Sequence, residues 1–223
     1  MIETIEMEQY ICSHIDREPA LLAELDRFTH TKVLAPRMLS GHLQGTLLKM
    51  LVRMANPTHV LEIGTFTGYS ALSMAEGLMR EEAHIHTIEI DDELEPKIRP
   101  FFERSEHSHR LNLHIGDAMQ IIDSLDGDFD FCFMDGNKRD YPAYYEKVMN
   151  RLVSGGYILA DNVLWDGKIL QPVHKNDTQT KAIMEFNDIV ATDDRVEKAA
   201  GKGIVQRRIL FGSVQGFLEG KLS

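Results

Sequence analysis

The run Tyr157-Ile158-Leu159-Ala160 ends in a carboxylate and a carboxamide side by side, Asp161 and Asn162. Neither residue favours a strand, and each is costly to bury without a partner. Asp-Asn is also ordinary turn chemistry, so the pair matters only if other groups converge on it. Strand-like runs at 59–64 (HVLEIG), 84–90 (HIHTIEI), 111–117 (LNLHIGD) and 129–135 (FDFCFMD) carry Glu62, Glu89, Asp117 and Asp135 at or near their ends. One acidic strand end means little. A whole rim of them points to a ligand site, because open sheets bind ligands beyond the carboxyl ends of their strands.

The first run passes into GTFTGYS (64–70), where Gly64 and Gly68 let the backbone turn tightly and a ligand approach it. The segment is not G-x-G-x-x-G, and G-x-x-x-x-G-K-[ST] is absent too. A glycine turn alone is as readily structural as ligand-binding. Its flanks sharpen it. Glu89, 25 positions after Gly64, suits a bidentate hydrogen bond to ribose hydroxyls. Glu62 beside the loop would repel a pyrophosphate but suits the ammonium end of S-adenosylmethionine, which also carries a sulfonium. The carboxylates favour that cofactor over NAD.

These groups must be positioned by strands that alternate with helices. Helical patterns fall near 70–81, 93–105, 118–125 and 141–153, between the runs above and GGYILAD (155–161). That alternation predicts a Rossmann-like, doubly wound α/β fold, its mainly parallel sheet covered by helices on both faces. Residues 3–28 and 41–56 read as amphipathic helices ahead of it, with Leu43, Leu47, Leu48, Leu51 and Met54 at helical spacing. Another helix is expected near 178–191. The chain thus reads as one domain, with helices and a lid over 1–57 and the core over 58–223.

Composition agrees. At 223 residues, 43% hydrophobic and 26% charged, the chain can bury a proper core as a single large domain. Its apolar runs are too short to span a bilayer, and the start MIETIEMEQY has no basic segment before an apolar stretch. A cytoplasmic protein with no membrane partner is expected. Cys12 and Cys132 are too few for a disulfide framework or a zinc ribbon, and Cys132 reads as a buried thiol. The formal charge of −11 argues against a nucleic-acid partner, although a local basic patch is compatible with it. The ten histidines show no ligand spacing, and His107 and His109 read as part of a solvated turn.

With these residues in place, the sequence resembles the cation-dependent class I O-methyltransferases, the caffeoyl-CoA and catechol O-methyltransferase group. VLEIGTFTGYSAL is similar to the cofactor motif, FMDGNKRDY to the strand-four motif and GGYILADNVLWDGKI to the strand-five motif, over roughly residues 35 to 190. The joint occurrence, in the family's order and spacing, is highly specific. The resemblance implies that Glu62, Gly64, Thr65, Ser70, Glu89 and Ala118 hold S-adenosylmethionine, with Ser40 a looser match in the lid. It implies that Asp135, Asp161 and Asn162 ligate a divalent cation and that Lys138 is the general base. The opening pair would then be two arms of a cation site whose third arm ends the neighbouring strand.

Two departures stand out. The family usually reads D-A-D-K where this chain has Asp135-Gly136-Asn137-Lys138, which removes an acid facing the cofactor side. The family also closes with an antiparallel strand pair, implying about seven strands with the last antiparallel. Here RVEKAAGKGIVQRRI is a shortened version, and LFGSVQGFLEGKLS has no counterpart.

The implied chemistry is methyl transfer to the hydroxyl of a small catechol-like or hydroxylated aromatic molecule. A phenol, with a pKa of about 10, is mostly protonated at neutral pH, and a hard cation lowers that value. Two carboxylates and one amide oxygen suit Mg²⁺, with Mn²⁺ or Ca²⁺ as substitutes. Lys138 has a plainer alternative, a surface ion pair with Asp135 or Asp140. Trp165 and Tyr141 are candidates for walling an aromatic substrate, with core or rim packing as the alternative. Competing functions are methylation of a hydroxylated nucleoside in transfer RNA, an NAD-dependent oxidoreductase on the same sheet, and a non-catalytic binding module. The amphipathic amino-terminal stretches and the apolar tail ILFGSVQGFL suggest a homodimer.

Overall fold

Residues 9–200 and 209–211 are described in the computed structural model of the chain. Five strands carry the aliphatic and aromatic runs: β1 (His59–Ile63), β2 (His84–Glu89), β3 (Leu111–Ile115), β4 (Phe129–Met134) and β5 (Leu152–Ala160). They form a parallel sheet in the order β3-β2-β1-β4-β5. The strand order reverses between β1 and β4, the switch point at which such sheets open a crevice.

Among the described residues, the helices that accompany them are α1 (Ala20–Lys32), α2 (Gly41–Ala55), α3 (Tyr69–Ala75), α4 (Glu95–Arg104), α5 (Ala118–Ser124), α6 (Tyr141–Met149) and α7 (Thr178–Thr192). The two-residue period of the strands divides the core. Leu61, Ile63, Cys132, Met134, Ile158 and Ala160 pack with Ile122, Tyr145, Val148, Ile183 and Phe186 of α5, α6 and α7. Val60, Ile85, Phe131, Phe133 and Leu159 pack on the other face, with Leu48, Leu51, Val52, Met74 and Ala75 of α2 and α3. Helices therefore cover both faces. Beyond α3, a third cluster joins Leu22 and Leu25 of α1 to Ile98, Phe101 and Phe102 of α4.

Several boundaries differ from expectation, each for a local reason. The helix expected over 3–28 is interrupted: residues 9–12 are helical, and α1 begins only at Ala20. Ser13 Oγ donates to Tyr10 O at 2.7 Å and His14 Nδ1 lies 2.7 Å from the same carbonyl, which closes the first piece. Pro19, with no N–H, stands at the cap of the second. Helix α3 stops at Ala75 rather than near 81, its end tightened by Gly77 N–H to Met74 O and Leu78 N–H to Ala75 O, and Gly77 passes so close to α2 that a Cβ would lie 2.5 Å from Lys49 O. Helix α6 stops at Met149 because Leu152 already pairs with Phe129 as β5 begins.

The expected antiparallel last strand is corrected. Two three-residue segments, β6 (Lys198–Ala200) and β7 (Ile209–Phe211), follow β5 in the order β5-β7-β6, and β7 runs parallel to both neighbours. The regular sheet is thus the five-stranded parallel one. Segments this short commit only three ladder pairs each, too few for an apolar pattern to set direction. Most of the anticipated closing hairpin and the tail after Phe211 lie outside the described residues.

Candidate active site

Gly64 is where the two halves of the crevice meet. Its φ is +98°, and a Cβ there would lie 2.6 Å from Asp135 O. Only glycine allows the β1 loop to turn left-handed and pass this close to the end of β4. Asp135 N–H donates to Ile63 O at 2.8 Å, so the strand ends are in register as they diverge. Between them opens a cavity of about 1210 Å³, walled by the β1, β2, β4 and β5 ends and by residues 32–40.

On the β1–β2 side, backbone donors organise the acids. Glu89 Oε2 accepts from Phe66 N–H at 2.7 Å, and Oε1 accepts from Asp91 N–H at 2.9 Å. Phe66 takes φ +52° to make this contact. Burial raises the Glu89 carboxyl above its usual range. Thr65 Oγ1 lies 2.5 Å from Thr87 Oγ1, which in turn donates to Glu62 Oε2. Glu62 itself is fully buried and lies beneath the cavity wall rather than on it. Burial pushes its carboxyl up to about 8, against the opposing influence of the Ser70 and Thr87 hydroxyls. Its Oε1 has no hydrogen-bond partner of good geometry among the described residues.

Gly64, Thr65, Ser70, Glu89 and Ala118 all line the cavity, as does Ser40 from the amino-terminal segment. Ala118 opens α5, behind Asp117, whose Oδ1 caps Met119 N–H at 2.9 Å. Ser40 sits at the start of α2 without a side-chain capping bond.

On the β4–β5 side, side chains do the organising. Lys138 is buried, and its Nζ donates to Asp135 Oδ1 at 2.6 Å and to Tyr141 OH at 2.8 Å. The Tyr141 hydroxyl is within reach of Met134 O at 2.8 Å and Asp161 O at 3.0 Å, tying the β4 and β5 ends together. Tyr141 is fully buried, so it supports Lys138 from below and does not wall a substrate; the packing alternative holds. Asp161 is buried, its Oδ1 accepting from Asn162 N–H at 2.7 Å and its Oδ2 from Gln44 Nε2 at 3.1 Å. Asn162 adopts φ +60°, and Trp165 follows at φ +45°; both line the cavity. Asn137 lines the cavity, and its Nδ2 donates to Asp140 Oδ2 at 2.7 Å.

Burial pushes the Asp135 carboxyl up to about 6, with Lys138 opposing and Asp161 adding to the rise. Two acids thus face one ammonium, an excess of negative charge that suits a cation. Among the described residues no three His, Cys, Asp or Glu side chains gather as a metal site. The candidate set is instead two carboxylates and a carboxamide, all oxygen donors, which fits a hard divalent ion rather than a soft one.

Gln44 escaped the sequence reading. The signal was present: a lone amide one and two turns ahead of Leu48 and Leu51, on the stripe that α2 buries. The plain reading of Lys138 as a surface lysine fails, because it is buried, although its pairing with Asp135 is real.

Comparison with known proteins accords with this geometry. The O-methyltransferase family model matches residues 12–208. A putative caffeoyl-CoA O-methyltransferase of Arabidopsis thaliana is 33% identical over 88% of this chain and 89% of its own length. Catechol O-methyltransferase domain-containing protein 1 of Mus musculus is 34% identical over 84% of this chain and 72% of its own. Among solved structures, the O-methyltransferase TomG of Streptomyces achromogenes, in complex with S-adenosylmethionine, superposes with a TM-score of 0.81. It is 26% identical, over 90% of this chain and 94% of that one. The chain belongs to the class I O-methyltransferase family. It is an S-adenosylmethionine-dependent O-methyltransferase.

Proposed function

We propose that this protein methylates a hydroxyl of a small catechol-like or hydroxylated aromatic acceptor, and that it needs a divalent cation, Mg²⁺ first, to do so. The observation that carries the reading is the sharing of one cavity by two differently built walls. Gly64, Glu89 and Ala118 stand on one side, and Asp135, Lys138, Asp161 and Asn162 on the other.

S-adenosylmethionine supplies an electrophilic methyl group, and a divalent cation supplies Lewis acidity toward the acceptor hydroxyl. The chain's own residues do the rest. Glu89 keeps lone pairs beyond those used by Phe66 and Asp91, and these accept from ribose hydroxyls. Glu62 lies beneath this wall and supports it from below, its Oε2 accepting from Thr87, whose hydroxyl meets that of Thr65. Ser40, Thr65, Ser70 and Ala118 shape the same wall, and Gly64 keeps it clear of Asp135. Asp135, Asp161 and Asn162 would hold the cation through their side-chain oxygens. Lys138, held by Asp135 and Tyr141, is the group that would take the proton from the acceptor hydroxyl. Trp165 lies on the rim where an aromatic acceptor enters.

Curated relatives named as caffeoyl-CoA O-methyltransferases support the acceptor class. We also read the protein as a cytoplasmic homodimer. No helix among the described residues is long and apolar enough to cross a membrane. Met50 and Met54 stand exposed on α2, a surface a second copy could cover. The decisive experiment measures methyl transfer to catechols, flavonoids, caffeoyl-CoA and transfer RNA, with Mg²⁺ and with excess EDTA. Turnover of a small catechol that EDTA abolishes is expected. Full activity in EDTA, or turnover of transfer RNA alone, overturns the reading.

A further inference from the structure

We infer that Gln44 is a positioning residue for Asp161, joining the amino-terminal segment over the cavity to the cation site. The inference rests on the cation reading above. Gln44 lies in the first turn of α2, directly after the 32–40 segment that walls the cavity. It is buried, and its Nε2 reaches Asp161 Oδ2 at 3.1 Å across 117 positions of sequence. An ionised carboxylate only accepts, so the amide nitrogen is the atom that faces it.

Asp161 is otherwise held by its neighbours. Oδ1 takes the Asn162 N–H, the backbone N–H goes to Met134 O at 3.0 Å, and the carbonyl is within reach of the Tyr141 hydroxyl. Those contacts hold the backbone and one oxygen, and the Gln44 amide donates to the other. The helix that carries it is seated without slack: a Cβ on the adjacent Gly45 would lie 2.5 Å from Ser73 Oγ and 2.7 Å from the Tyr69 ring. Gln44 therefore cannot drift while α2 stays packed on α3.

The residue type is informative. A lysine at this position would neutralise Asp161 as Lys138 already offsets Asp135, and the site would lose its excess negative charge. A neutral amide orients the carboxylate and leaves its charge to a cation. Groups that orient ligands in this way typically contribute about 10–100-fold to metal affinity.

The test uses Mn²⁺ as probe, with free and bound ion counted by electron paramagnetic resonance on the full chain. Gln44→Met keeps length and volume but removes the donor, and Gln44→Leu serves as a second variant. Melting curves establish that at least one is folded, and calorimetry with S-adenosylhomocysteine reports the cofactor wall. The expected result is a loss of about tenfold or more in Mn²⁺ affinity, with S-adenosylhomocysteine affinity held within about threefold. A folded variant that binds Mn²⁺ as tightly as the wild type overturns the role of Gln44 and leaves the cation reading intact. A wild-type protein that binds no Mn²⁺ at millimolar concentration defeats both.

Discussion

The two ends of the sheet are built from opposite chemistry. At the carboxyl ends of β2, β4 and β5, Glu89, Asp135 and Asp161 line a cavity, with Glu62 buried beneath the wall at the end of β1. At the amino ends, charged groups are spent on the backbone. Asp130 Oδ2 accepts from Thr58 N–H and His59 N–H at 2.6 and 2.8 Å. Arg151 donates to the carbonyls of Ile122, Leu125 and Gly127, and its guanidinium lies 5.6 Å from the Phe129 ring centre. The same residue types thus do different work. Charge closed onto the backbone away from any cavity stabilises the fold, and charge held at the cavity wall faces a space where a ligand fits. Substitutions should separate the two: rim variants should lose activity more than stability, and amino-end variants the reverse.

The largest effect should come from Asp161→Ala. It removes one of two carboxylates in the candidate cation set, and activity should fall beyond the ~100-fold typical of losing a mere supporting partner. Melting temperature should move little, because the Asp161 charge is costly to bury in the first place. A variant that is inactive only because it has unfolded would break the comparison.

Lys138 comes next. Lys138→Ala should lower kcat by ~10²–10⁴-fold, the usual range for a general base, with cofactor affinity nearly intact. Lys138→Arg should not rescue, since guanidinium does not deprotonate in this pH range. Rates of both variants across pH 6 to about 9.5 with saturating Mg²⁺ decide the matter. Near-wild-type rates at the acid end, where the acceptor needs most help, would leave Lys138 as a scaffold for Asp135.

The amino end should answer differently. Arg151→Ala abandons three carbonyls and should cost about 2–3 kcal/mol of stability in urea denaturation. The kcat of the folded fraction should stay within about twofold. A large kcat loss would mean that the two ends are mechanically coupled.

The contrast also explains what the sequence disclosed. Glu89, Asp135 and Asp161 were legible because a residue that ends a parallel strand reaches the ligand edge by local geometry alone. Gly64 was legible for the same reason, though its closeness to Asp135 was not. What escaped depends on contacts between distant segments. Gln44 meets Asp161 only because α2 packs on α3, and Tyr141 lies under Lys138 only because α6 turns inward. Glu62 was placed correctly at a strand end but buried deeper than a cofactor ligand was expected to be. The ten histidines show no ligand spacing along the chain, yet parallel pairing brings four of them into ring contact. Ring centres run 4.5 Å from His59 to His84, 4.9 Å on to His86 and 5.1 Å on to His114.

That histidine ladder gives the smallest effect and a pH test of the comparison. His86 is half-buried, and its Nδ1 lies 2.9 Å from His114 Nε2. Burial, followed by the neighbouring His114, His84 and His59, pushes its pKa down to about 4, with Asp126 opposing. The folded value lies below the usual ~6.5 of an unfolded chain. Its contribution is therefore fully present above about pH 6.5 and is lost as pH falls toward 4. At pH 5 the unfolded chain takes up a proton that the folded ladder resists, a difference of about 1–2 kcal/mol after discounting for partial exposure. Replacing His86 with glutamine keeps a hydrogen-bonding side chain but removes the titration. Wild-type stability should fall between pH 7 and 5 more steeply than that of His86→Gln, so the two urea midpoints should converge or cross. Because none of these rings lines the cavity, kcat at pH 7.5 should be unchanged in the variant. Parallel stability curves would mean that the ladder takes up its proton without resistance, and that its ring contacts are packing alone.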